Sequence, residues 1–266
     1  MKKCIPIVAM ISFLCLGCGG GGGNSTSNTV STPTTPSVPA ITGNWSITAT
    51  SVVSVGTVAV GGSLVSSGTE FLGVVHVLNS SCYNINTDVA VAGTITAGTN
   101  ALTLTSAPIG GQVITVNGTI SAAGNSLSAG TYTITGGCAT GDHGSVTGFI
   151  APAFTNTYSG SFTSISGPVI TISVTTSQGA FPDADGLFHL TGTVTFQNST
   201  CFNSGTITGS AVAGSFFQVT LTTNTGATVL FVGNITDSTG KTITGTYQVT
   251  GGICGGDSGN GSISHS

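Results

Sequence analysis

Residues 130–144 read GTYTITGGCATGDHG, and residues 245–259 read GTYQVTGGICGGDSG. Upstream of each lies a second shared signature: Asn79-Ser80-Ser81-Cys82-Tyr83-Asn84 in the first case, Asn198-Ser199-Thr200-Cys201-Phe202-Asn203 in the second. One unit of roughly a hundred residues has been duplicated, and a repeat of fixed period constrains the architecture more than any local motif does.

Inside and around these stretches, apolar residues recur at period two, which is the strand period and not the helical one. Residues 113–120 put Ile114, Val116, Gly118 and Ile120 on one face, and residues 228–235 put Val229, Phe231, Gly233 and Ile235 on the matching face. Tyr132 shares its face with Gly130 and Ile134, opposite a row of Thr131, Thr133 and Thr135; Tyr247 shares its face with Gly245 and Val249. Turn signals at Gly61-Gly62, Gly110-Gly111, Gly124-Asn125, Asp183-Ala184-Asp185-Gly186 and Ser238-Thr239-Gly240 separate the runs. This predicts about eight short strands per half, and short connections require antiparallel pairing. The expected fold is all-β: two tandem antiparallel meanders, each barrel-like, with a β-sandwich as the alternative. The expected division is 1–17 export signal, 18–41 anchor and tether, 42–152 first repeat and 153–266 second repeat.

The composition narrows the function classes. Charged residues make up 4% of the chain, against about 25% in ordinary domains. There is no Arg, and the three Lys are Lys2, Lys3 and Lys241. Nucleic-acid binding depends on cationic side chains that neutralise phosphates, so no nucleic-acid partner is expected. Low charge combined with positive mean hydropathy also argues against disorder.

Lys2 and Lys3 precede an apolar run from Ile5 to Leu16. That run is shorter than the roughly 20 residues needed to span a bilayer and reads as an export signal. It ends Leu14-Cys15-Leu16-Gly17-Cys18 ahead of Gly19–Gly23. This resembles the lipobox of bacterial lipoproteins, with Cys15 where that family prefers Leu. The resemblance implies lipidation of Cys18, a mature chain that starts there, and membrane attachment through the lipid. Gly19 next to Cys18, in place of Asp, implies the outer membrane or cell surface. The Gly/Ser/Thr/Pro composition of residues 19–41 predicts an extended tether. As a whole the chain resembles the Gly/Thr-rich lipoproteins of environmental bacteria, a class with no assigned activity.

Four cysteines lie beyond Cys18: Cys82, Cys138, Cys201 and Cys254. Four allow three connectivities. The duplication selects Cys82 with Cys138 and Cys201 with Cys254, and export makes disulfides plausible.

Few motifs offer chemistry. Gly256-Asp257-Ser258-Gly259 resembles the nucleophile stretch of chymotrypsin-like serine proteases. The first repeat has Gly141-Asp142-His143-Gly144 there, so the shared element reads as a turn, with Asp142 and Asp257 expected to bind their own backbone. His76, His143, His189 and His265 are scattered, and Asp183-Ala184-Asp185-Gly186 lacks the later ligands of a calcium loop. No catalytic, metal or cofactor residue is predicted. Ile41-Thr42-Gly43-Asn44-Trp45 and Gly130-Thr131-Tyr132 are similar to strand motifs of avidin-like and lipocalin-like barrels. That resemblance implies a barrel; with Trp45 as the single Trp it does not imply biotin. The expected function is a surface-anchored, non-catalytic binding or interaction module for a small apolar ligand, a glycan or a protein partner. The alternatives are a structural spacer of the cell envelope, an enzyme, or one integral outer-membrane barrel of about sixteen strands.

Overall fold

The computed structural model describes residues 37–266 except 54–56, 81, 85–86, 166, 168 and 238. The export signal, Cys18 and the tether up to residue 36 lie outside the described residues. Strands β1 (Gly43–Ser51), β2 (Thr57–Ser67), β3 (Glu70–Asn79), β4 (Asp88–Thr96), β5 (Ala101–Ser106), β6 (Val113–Ile120), β7 (Ser126–Thr135) and β8 (His143–Ile150) form the first repeat. The second holds β9 (Thr157–Ser164), β10 (Val169–Gln178), β11 (Leu190–Gln197), β12 (Ser204–Ala213), β13 (Phe216–Thr223), β14 (Thr228–Ile235), β15 (Thr242–Thr250) and β16 (Ser258–Ser264). Each set pairs in sequence order, antiparallel throughout, and closes on itself. The chain is thus two closed eight-stranded barrels in tandem. Neither the sandwich nor the single sixteen-stranded barrel is formed, because β1 pairs with β8 and β9 with β16.

The period-two reading explains the layering. Tyr132 and Ile134 point into the first core, Tyr247 and Val249 into the second, and Thr131, Thr133 and Thr135 face out. The outward rows are rich in Thr and Ser, unlike the apolar band that a membrane-spanning barrel turns to lipid. The closing seams are matched by size: Ala49 lies opposite Val146 and Ile47 opposite Gly148 in the first barrel. Phe162 lies opposite Gly261 and Gly160 opposite Ile263 in the second.

Two sequence expectations need correction. Gly61-Gly62 is not a turn but the middle of β2. A Cβ at Gly61 would lie 2.3 Å from the Ala213 carbonyl oxygen of the other barrel, so glycine is required by close backbone approach. The tether also ends before residue 41. Val38 packs against the first core, and Ile41 is fully buried, its N–H donating to Ser66 Oγ (3.1 Å) and its carbonyl accepting from Trp45 Nε1 (2.7 Å).

The barrels touch along β1, β2 and β12. Asn44, buried, clamps the turn at Gly214: its Nδ2 donates to the Gly214 carbonyl (2.8 Å) and its Oδ1 accepts from the Gly214 N–H (2.6 Å). His76 Nε2 lies 2.7 Å from the Asp185 carbonyl oxygen across the same junction.

Candidate functional site

Each barrel has two unlike ends. At one end the duplicated GD motif returns the chain into β8 or β16. There the Tyr132 hydroxyl donates to Asp142 Oδ2 (3.1 Å) and Ser51 Oγ to Asp142 Oδ1 (2.5 Å). The second barrel repeats this with Tyr247 on Asp257 Oδ2 (2.8 Å) and Ser164 on Asp257 Oδ1 (2.6 Å). The carboxylates therefore join β1 to β7 and β9 to β15, a cross-strand role in place of the local backbone turn expected of them. Burial, together with the facing carboxylate, raises the Tyr132 hydroxyl above its ordinary pKa and pushes Tyr247 up to about 12.

The disulfides lace the same ends. Cys82–Cys138 and Cys201–Cys254 are bonded, with Cα atoms 6.2 and 5.8 Å apart. In the first barrel a polar lid lies beneath the disulfide. The Tyr83 hydroxyl and the Ala139 N–H both donate to Gln112 Oε1 at 3.0 Å, and Gln112 Nε2 lies 3.3 and 3.2 Å from the two sulfurs. Gln112 and Tyr83 are buried. Strand register makes Ala227 the counterpart of Gln112 and the shared cysteine signature makes Phe202 that of Tyr83, so the second barrel packs this end with carbon: Phe202 meets Phe196 edge-on at 4.6 Å.

Trp45 and Ile41 plug the opposite end of the first barrel, and Tyr158 and Phe154 the second. Between plug and lid the first barrel encloses a hollow of about 80 Å³ whose exposed lining is wholly apolar. Ala49, Val60, Leu102, Val116 and Ile134 are among its walls. The second barrel keeps spaces of about 50 and 10 Å³. Phe162 and Phe231 line both and stack edge-to-face at 4.8 Å, dividing its interior.

The residues offering chemistry are not brought together. Ser258 opens β16 near Asp257, whereas the His–carboxylate pair, His189 Nε2 to Asp183 Oδ2 at 2.8 Å, sits in the 179–189 loop at the far end of the second barrel. Asp183 Oδ1 also accepts from the N–H groups of Asp185 and Leu187, an Asx turn. Partial burial opposes ionisation of Asp183, but the Leu187 N–H and the His189 ring outweigh it and hold the carboxyl below the usual range. Asp183 in turn raises His189. Among the described residues, no group of three or more His, Cys, Asp or Glu is placed to hold a metal ion. An open cleft of about 380 Å³ lies between the barrels beside His76, Asp88 and Asp185, and another of about 490 Å³ lies beside Cys254.

No family model matches the sequence, and no curated protein matches it. Among solved structures, the chain is similar to a presumed outer membrane protein of Bacteroides fragilis, at 13% identity over 85% of this chain and 98% of that one, with a TM-score of 0.29. It is also similar to a protein of unknown function from the DUF3598 family of Nostoc punctiforme, at 10% identity over 84% and 94% of the two chains, with a TM-score of 0.27. At those scores the fold is read from the chain's own pairing.

Proposed function

We propose that this protein is an exported, lipid-anchored, non-catalytic binding module. The observation that carries the binding reading is the interior of the first barrel: an apolar space left open beneath a fully hydrogen-bonded polar lid. Small eight-stranded barrels either fill this space with side chains or hold one small ligand in it. The non-catalytic reading is supported by where the titratable groups go. Asp142 and Asp257 tie strands together, Asp183 and Asp237 hold turns, and His189 is committed to Asp183 and the Ser210 carbonyl. The anchor reading rests on the Cys18 stretch and the glycine run after it, and two disulfides suit an oxidising compartment outside the cytosol. The lipobox resemblance, with Gly19 beside Cys18 in place of Asp, supports an outer-membrane or cell-surface location.

The second barrel, packed with phenyl rings, favours a spacer role for that half. Thermal-shift screening of the full chain against apolar small molecules and glycans tests the binding reading: a saturable rise in Tm is expected for one class, and no response to any class sinks it. For the anchor, Cys18→Ser should release the protein from membranes with its circular dichroism unchanged. A mutant that still sediments with membranes removes the lipid-anchor reading.

A further inference from the structure

The duplication supplies an internal comparison, because strand register aligns the two barrels residue by residue. Val116 pairs with Tyr132, and Phe231 pairs with Tyr247, so Val116 stands where the second barrel has Phe231. One strand over, Leu102 faces Gly118 and Phe217 faces Gly233, which sets Leu102 against Phe217. Ser51 and Ser164 hold equivalent carboxylates, which sets Ala49 against Phe162 and Ile41 against Phe154. The loss of ring at Ala49 is offset in part by Val146 in place of Gly261; at Val116 and Leu102 one facing residue is the same in both barrels (Tyr132 and Tyr247, Gly118 and Gly233), and on the other side Leu104 and Ile95 stand where the second barrel has Val219 and Val212, which restores a methylene and not a ring. Phe71 runs the other way, since its counterpart eleven residues before the shared cysteine is Leu190, but it does not line the hollow.

We infer that the first barrel receives one compact, uncharged, hydrocarbon-like molecule, while the second has narrowed and divided the same space with its own rings, to about 50 and 10 Å³. This rests on the binding-module reading and names the barrel and the ligand class. The lining offers no hydrogen bond, so water gains nothing there, and charged or hydroxylated groups would lose their hydration without replacement. An engineered apolar cavity of about 150 Å³ stays dry and takes xenon or benzene; the hollow here is about 80 Å³, so xenon fits as the barrel stands and benzene requires the aliphatic walls to yield. The lid differs in chemistry: Tyr83, which lines the hollow, is hydrogen-bonded to Gln112, where the second barrel has the apolar Phe202 and Ala227.

The test titrates the full chain with xenon, then benzene, and follows methyl NMR signals of Val116, Leu102 and Ile134 in the first barrel and Val219 and Ile172 in the second. Saturable shifts confined to the first set are expected, with benzoate giving none. Val116→Phe should weaken the xenon response by at least about tenfold, since it restores the ring that fills the other barrel. Phe231→Val should make the second set respond. If Val116→Phe does not fold, Leu102→Phe, whose counterpart is Phe217, replaces it. Equal responses in both barrels, no response, or a filled variant that binds like the wild type would overturn the inference. A glycan or protein partner that still binds alongside such a result would leave the binding module standing and remove only its apolar ligand. Silence to every probe would remove both.

Discussion

Tyr247 packs its ring against Phe162 and Phe231 and spends its hydroxyl on Asp257. The two contributions separate by mutation. Tyr247→Ala should cost about 3–5 kcal/mol, as for other large core aromatics. Tyr247→Phe, which keeps the ring, should cost about 1.5–3 kcal/mol, the range for a hydrogen bond to a charged group; denaturant melts measure both. The hydroxyl's raised pKa adds a pH signature. Its contribution is full below the ordinary tyrosine value of about 10 and is lost as pH rises toward about 12. The stability of Tyr247→Phe should therefore fall less steeply than that of the wild type between about pH 10 and about 12, read from denaturant melts across that window. His189 obeys the same sign rule at lower pH. Its pKa is raised by Asp183, so it helps hold the 179–189 loop while protonated and ceases to as pH rises past that value. Ring NMR titration should place His189 above about 6.5, and Asp183→Asn should bring it down. The inward direction of both tyrosines is readable from period two in the sequence. Their carboxylate partners are readable only as a repeated position, because Ser51 and Ser164 stand 91 and 93 residues away from Asp142 and Asp257.

Among the elements, β2 and the 179–189 loop are where sequence reading fails. Gly61-Gly62 has the local signature of a turn, and nothing nearby reveals that Ala213 of another barrel presses on it. In the 179–189 loop Asp183 gathers Asp185 to Leu187 into an Asx turn and Phe188 makes a single antiparallel bridge to Val212, so the continuous strand β11 starts only at Leu190. The disulfide-laced loops are better specified. Each bond closes a stretch with a sequence separation of 56 or 53, so removing Cys82–Cys138 by paired Cys→Ala substitution should cost about 4 kcal/mol through the freed unfolded chain. Chemical denaturation should show the loss in the first barrel, with the second retaining its midpoint.

For the whole molecule, the junction depends on few groups, of which Asn44 is the most committed. Asn44→Ala would leave the Gly214 N–H and carbonyl without their buried partner, a penalty of about 1–3 kcal/mol. Calorimetry should then resolve two transitions, one per barrel, where the wild type is more closely coupled. Asn44 has no counterpart in the second repeat, whose equivalent position is Thr157, so the duplication that reveals both barrels says nothing of how they meet. The hollow was equally out of reach: it emerges only when register sets Val116 against Phe231 and Leu102 against Phe217.

The closing seams bear on a hazard that every tandem duplicate faces, the exchange of strands between copies. A chain emerging amino terminus first presents β1 long before β8, and later offers β16 as a rival of the same pattern. The size matching discriminates between them. With β1 against β16, Ile47 would meet Ile263 while Ala49 faced Gly261 across a void; with β9 against β8, Phe162 would collide with Val146 while Gly160 faced Gly148. Each crossed closure is overfilled at one pair and empty at the next, and both faults destabilise a packed interior. The divergence of these four pairs therefore sorts the strands, so that two barrels of one ancestry each close on themselves.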